Sequence, residues 1–241
     1  MKKELNRFVC SPVFVINAGF GLVLYVVGCI LVTIKLEGTV QTLTEQGMPI
    51  TIEEIKANMP LIQFGLVCFA SLMTSITCSM ISLEGKTFNI LKSLPIKPSK
   101  IIMSKVYTAV LIMIPFILIG DLIMFIKYTF NIWEILIILA LTIIMPLVSE
   151  IIGIIANLLY PKMNAENDTE VVKQSMSSFV SVIAGMVLTG LTIYLLVKAV
   201  QQNIQTEIIM LLGLGIYTLA YFILMLYLKK VGTKKFNEIN V

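Results

Sequence analysis

Six apolar runs, each long enough to cross a lipid bilayer, leave this 241-residue chain few folds to choose from. A helix needs about 20 apolar residues to span the hydrocarbon core of a membrane. The runs cover about 12–35, 61–83, 101–126, 132–160, 177–200 and 208–228. No water inside the bilayer satisfies backbone N–H and C=O groups, so a spanning segment of this length folds as a helix. Composition agrees, with 58% of residues hydrophobic and 13% charged, where a soluble domain carries about 25% charged residues. The expected fold is all-α: one transmembrane domain over 1–241, polytopic, with six transmembrane helices and the lipid bilayer as solvent.

Orientation follows from the basic residues, which concentrate in short cytoplasmic loops. With the N-terminus placed inside, the outer side carries only Lys35, Lys56, Lys127 and Lys198. The rest of the 18 Lys and Arg residues, from Lys2, Lys3 and Arg7 to Lys234 and Lys235, fall inside. Six spans then put both termini in the cytoplasm, N-in and C-in. The net charge of +4 is explained by topology and is no signal for nucleic acid. The first run is too long for the apolar core of a signal peptide and lacks a small-residue cleavage site after it.

Histidine is absent. That removes the commonest general base and the commonest metal ligand, so no metal site and no catalytic residue is expected. Cys10, Cys29, Cys68 and Cys78 form no CxxC pair and read as small hydrophobic residues.

The connector at 84–100 is short, basic and amphipathic. Phe88, Leu91 and Leu94 recur at i, i+3 and i+6, and Ile90 widens that stripe. Lys86, Asn89, Lys92 and Ser93 fall on the other faces. Pro95 and Pro98 are expected to end the helix, and Ser99 to cap the next span. A half-apolar, half-basic helix suits the headgroup boundary or the groove of a partner. Gly85-Lys86-Thr87 is not a phosphate-binding loop, because Met80 stands where the first glycine belongs and no strand precedes it.

The other connectors carry weaker signals. Residues 1–10 place Leu5, Phe8 and Val9 on one side of a short helix, which fits either an interfacial helix leading into the first span or a frayed terminus. Thr51 and Glu54 fit a capping box for a short helix from Ile52 to about Asn58. In the second inner loop, 161–174, Asn167 or Asp168 is expected to cap a helix continuing into the fifth span. Within the spans, Asp121 and Glu150 stand out, since ionisable groups in a bilayer cost about 2.5–3.5 kcal/mol and face protein or water. A hydrogen bond to a neighbouring helix is the expected role of Glu150.

Three segments carry a family resemblance. Glu84–Ile96 resembles the coupling segment of bacterial ABC exporter permeases of the type-two class. Pro161–Asn167 with Val172-Lys173-Gln174 is similar to their second cytoplasmic segment, and Lys3–Phe8 with Ser11-Pro12 is similar to the start of one of their membrane halves. The resemblance implies a six-helix permease half in the cytoplasmic membrane of a bacterium. Its coupling helix would dock on a separate ATPase subunit, which would hold ATP and Mg, leaving no cofactor in this chain and no enzyme activity of its own. Glu84, Gly85, Lys86, Phe88, Leu91, Leu94 and Pro95 would carry the coupling. Lys162, Asn164, Glu166, Lys173 and Gln174 would support it. A charge at Leu91 or Leu94 would then abolish docking. Such permeases are usually about twice this length, so the chain resembles the C-terminal half alone and would pair with a second permease half or a second copy. The rival reading is a non-ABC membrane scaffold or sensor whose basic inner loop binds lipid or a regulator.

Overall fold

Prolines and small polar residues punctuate the long helices at the ends of the apolar runs. The computed structural model describes residues 2–47, 51–165, 167–202 and 204–239. Helix α1 (Lys2–Cys10) leads through Ser11 into α2 (Pro12–Glu45), which begins on a proline, where the missing N–H costs nothing. Helix α2 runs well beyond the expected end of the first span. A capping box of Thr51 and Glu54 then opens α3 (Ile52–Ala57) as the sequence predicts. Lys56 of this helix pairs with Glu37 of α2 at 2.9 Å, and that carboxylate raises the exposed lysine's pKa.

The second apolar run is not one helix. Helix α4 (Met59–Met73) stops, residues 74–76 are non-helical, and α5 (Thr77–Met80) resumes the path. A 3-10 turn, Ser82–Thr87, continues to α6 (Phe88–Ser93), with Gly85 at φ +49°, a conformation that glycine adopts without strain. Helix α7 (Pro98–Lys127) follows. Pro98 opens this helix and Ser99 lies inside it, so the expected cap at Ser99 is replaced by a proline start.

Helix α8 (Ile132–Leu159) is closed at its start by a capping box of Asn131 and Glu134. Helix α9 (Asp168–Lys173) is capped by Asn167, as expected, but it does not continue into the fifth span. Ser175 caps a separate helix, α10 (Met176–Gln201), by accepting from the Ser178 N–H. Helix α11 (Thr206–Tyr227) runs on through a π turn, Leu228–Gly232, into α12 (Thr233–Glu238).

Among the described residues, six helical segments are long and apolar enough to cross a membrane, making this a multi-pass helical protein of the membrane. Helix α8 is the hub, touching α4, α5, α7, α10 and α11. Its buried face, with Ile138, Leu141, Met145, Val148, Ile151 and Ile154, supplies much of the core. By contrast α2, α10 and α11 leave most of their apolar side chains outside: Phe20 is 63% exposed, Val187 65% and Leu226 68%. Continuous apolar surface of this extent is unsupported in water and suits lipid tails. At one end of the bundle, called here the terminal end, α1 meets the 3-10 turn and α7, and the end of α12 meets α6.

Candidate functional site

The terminal end holds the only deeply buried lysine among the described residues, Lys105 of α7, at 0% exposure. A buried ammonium requires counter-charges and acceptors. Its Nζ donates to Glu4 Oε1 at 2.8 Å, Glu84 Oε1 at 2.7 Å and the Met80 carbonyl at 3.2 Å. The other Glu84 oxygen pairs with Arg7 at 3.0 Å. Two acids and two bases thus join α1, the 3-10 turn and α7 in one balanced cluster. Glu84, expected in the coupling segment, is its centre and is 2% exposed.

Gly85 comes next and turns the chain close to the Met163 carbonyl. This brings the first and second inner connectors together, as does Ser82, whose hydroxyl accepts from the Lys162 N–H at 2.9 Å. Lys162 also pairs with Glu170, and Ser11 donates to Asp168 at 2.6 Å. Asn164 and Gln174 are exposed. Glu166 and the side chain of Lys173 lie outside the described residues.

Helix α6 corrects one expectation. The spacing of Phe88, Leu91 and Leu94 predicts one apolar stripe offered to headgroups or a partner groove. Phe88 is fully buried and Leu91 is 8% exposed. Both lie in a core with Ile102, Val106, Leu158, Leu228 and Phe236, and the Phe88 and Phe236 rings are 4.9 Å apart. The face is covered by the chain's own α12, which the connector's periodicity could not reveal. Lys92, on another face of the helix as its spacing predicts, donates to the carbonyls of Asn237 and Ile239 at 2.8 and 2.9 Å and so holds the end of α12. The apolar side chains left outside are Ile90, Leu94 and Ile96, at 66, 43 and 47% exposure. Pro95 stands between the last two.

Deeper in the bundle, Glu150 closes the break in the second span. Its carboxylate accepts from the Ile76 N–H at 3.0 Å and the Thr77 N–H at 2.8 Å, while the Thr77 hydroxyl donates to the Glu150 carbonyl at 2.6 Å. One helical turn on, Gly153 leaves room for Ser75 and Thr77; a Cβ there would lie 2.6 Å from Thr77 Oγ1. Asn157 repeats the device, accepting from the N–H groups of Ile81 and Ser82 and donating to the hydroxyls of Ser82 and Ser177. Residues 150, 153 and 157 share one face of α8 at helical spacing. That face supplies the acceptors the broken backbone has lost, which a bilayer demands. The expected interhelical role of Glu150 is therefore what the geometry displays.

Asp121 sits in a second buried network. Tyr25 donates to its Oδ1 at 2.9 Å, Thr142 to its Oδ2 at 2.6 Å, and the Gln63 amide to Oδ1. These four side chains tie α2, α4, α7 and α8 together, all at 1% exposure or less. The neighbouring Gly120 has no space for a Cβ, which would fall 2.2 Å from the Tyr25 ring.

The sequence did not single out Lys105, Glu4, Tyr25 or Gln63. The available signal was Lys105 itself, a lysine only a few residues inside an apolar run, which needs a counter-charge wherever it is not snorkelled to water. No family model matches the chain, and neither a curated protein nor a solved structure matches it.

Proposed function

We propose that this chain is the membrane-spanning subunit of an ABC exporter, moving a substrate across a bacterial cytoplasmic membrane with ATP hydrolysed on a separate subunit. The chain itself is non-enzymatic; ATP and Mg belong to the partner, and a second copy or second permease half completes the translocation unit. In this reading the terminal end faces the cytoplasm and α6 is the coupling helix.

One observation carries the reading. An exposed apolar edge, Ile90, Leu94 and Ile96, sits beside a buried charge cluster that ties the same segment to α1 and α7. A push on α6 is transmitted through Glu84 and Lys105 to α7, and along the 3-10 turn to α5. There it reaches the break held by Glu150, where the second span has a non-helical joint. Discontinuous membrane helices of this kind are places where transporters bend and bind. The edge is apolar with bases around it, which suits a protein groove of opposite character.

The test is co-purification of the tagged chain in mild detergent, with the associated ATPase identified by mass spectrometry and by Mg-dependent ATP hydrolysis. Leu94→Asp combined with Ile90→Asp is expected to remove the ATPase while expression and membrane insertion stay unchanged, because both side chains already face outward. An ATPase that stays bound to the double variant overturns the docking role of α6. A chain that purifies without any ATPase under conditions that preserve other transporter complexes overturns the exporter reading in favour of a lipid- or regulator-binding scaffold.

A further inference from the structure

Between the first turns of α7 and the end of α11 lies a cleft of about 280 Å³ at the terminal end of the bundle. Its floor is apolar, with Ile102, Met103, Tyr107, Met225 and Leu228, and its rim carries Ser99, Lys100 and Lys229. Ser99, Met103 and Tyr107 stand four residues apart on α7. The cleft therefore follows one stripe of that helix for about 12 Å at 1.5 Å per residue, from the polar end into the apolar belt. Lys229 lies on the π turn that extends α11, and Gly232 lets Leu228 close in over that turn, since a Cβ would sit 2.7 Å from its Cδ1.

Several lysines at this end are compensated, while Lys86, Lys97 and Lys230 are exposed and lie outside the cleft. Lys105 is neutralised by Glu4 and Glu84, Lys92 is bound to backbone carbonyls, Lys162 is paired with Glu170, and Lys234 and Lys235 with Glu238. Among the described residues neither Lys100 nor Lys229 makes an ion pair or a hydrogen bond, and both are exposed. Two uncompensated positive charges therefore overhang an apolar trough at the terminal end of the bundle.

We propose that this cleft is a binding site for an anionic phospholipid, with the phosphate on Lys100, Lys229 and the Ser99 hydroxyl and the upper part of an acyl chain along Met103, Tyr107 and Met225. The two halves of the cleft select for the two halves of such a molecule. A soluble anion leaves the apolar floor bare, and a neutral lipid leaves both lysines without a counter-charge. Basic pockets between membrane helices recognise anionic headgroups in this manner, and phosphate oxygens form charge-assisted hydrogen bonds with ammonium groups. The site is separate from the α6 edge and does not depend on the exporter reading.

Native mass spectrometry of the purified full chain tests this, with phosphatidylglycerol and phosphatidylcholine of identical acyl chains as probes. The wild type is expected to retain phosphatidylglycerol at least roughly tenfold better, since each lysine near anionic lipid contributes several-fold. Lys100→Gln with Lys229→Gln is expected to fall to the phosphatidylcholine level. Lys86→Gln with Lys97→Gln removes the same charge outside the cleft and is expected to leave retention unchanged. Glycerol phosphate, a headgroup without chains, is expected not to displace the bound lipid. Equal retention of the two lipids, an equal loss in both lysine pairs, or efficient displacement by glycerol phosphate each overturns the proposal. All four lysines are exposed, so the variants are expected to keep the fold, and gel filtration verifies it.

Discussion

Lys105 shows what a single charge demands when it is buried. Its ammonium is shut off from bulk solvent, so Glu4, Glu84 and the Met80 carbonyl supply its acceptors. Removing one member of such a cluster strands its partners, which typically costs about 3–5 kcal/mol. Lys105→Met is therefore expected to lower the thermal midpoint of the detergent-solubilised protein sharply. Adding Glu84→Gln should recover part of the loss, because a neutral amide no longer needs a counter-charge. Thermal unfolding followed by size exclusion of the two variants checks this; equal midpoints for Lys105→Met and wild type would remove the cluster from the account. The acid side of this cluster was legible in part, since Glu84 stood out in the connector. Its partners were not, because Glu4 and Lys105 are separated by a hundred residues and only the folded chain puts them together.

At the scale of elements, glycine positions separate close helix contacts from open faces. A Cβ on Gly120 would strike the Tyr25 ring at 2.2 Å and one on Gly213 would strike the Phe64 ring at 2.5 Å, whereas Gly190 has nothing within 4 Å. Gly120→Ala is expected to push α2 away from α7, disturb the Asp121 network and destabilise by about 1–3 kcal/mol, the usual range for overpacking. Gly190→Ala, on an open face of α10, is expected to be neutral or slightly stabilising, since alanine is the better helix former. Thermal midpoints of the two variants measured side by side decide the matter, and a loss at Gly190 as large as at Gly120 would contradict the packing. Sequence spacing does not separate these glycines, because none forms GxxxG. Helix α6 makes the same point: its period of three to four residues correctly predicted a helix, but period cannot say which neighbour covers a face. Leu91→Asp now reads as a core lesion, with Leu94 and Ile90 as the positions that test docking.

For the whole molecule, the placement of α1 and α12 at the same end of the bundle as the 3-10 turn and α6 makes topology measurable with the native cysteines. Cys10 is exposed while Cys29, Cys68 and Cys78 are buried, so the wild type offers one reactive thiol at the terminal end. If that end is cytoplasmic, a membrane-impermeant maleimide is expected to leave intact cells unlabelled and to label Cys10 once the membrane is permeabilised. Labelling of intact cells would reverse the orientation and move α6 to the wrong side for an ATPase.

Length and apolarity of six runs determined that this chain folds as a helical protein of the membrane, because the bilayer forbids every other way of satisfying a spanning backbone except a closed barrel. Local capping chemistry at Thr51, Asn167 and the prolines was readable for the same reason: the partners lie within a few residues. Tertiary structure alone decided that the second span breaks at 74–76, that Glu150 and Asn157 supply its missing acceptors, and that Phe88 and Leu91 face inward against α12. In each of those cases the deciding partner lies more than seventy residues away, where neither hydropathy nor helical period carries information about contact.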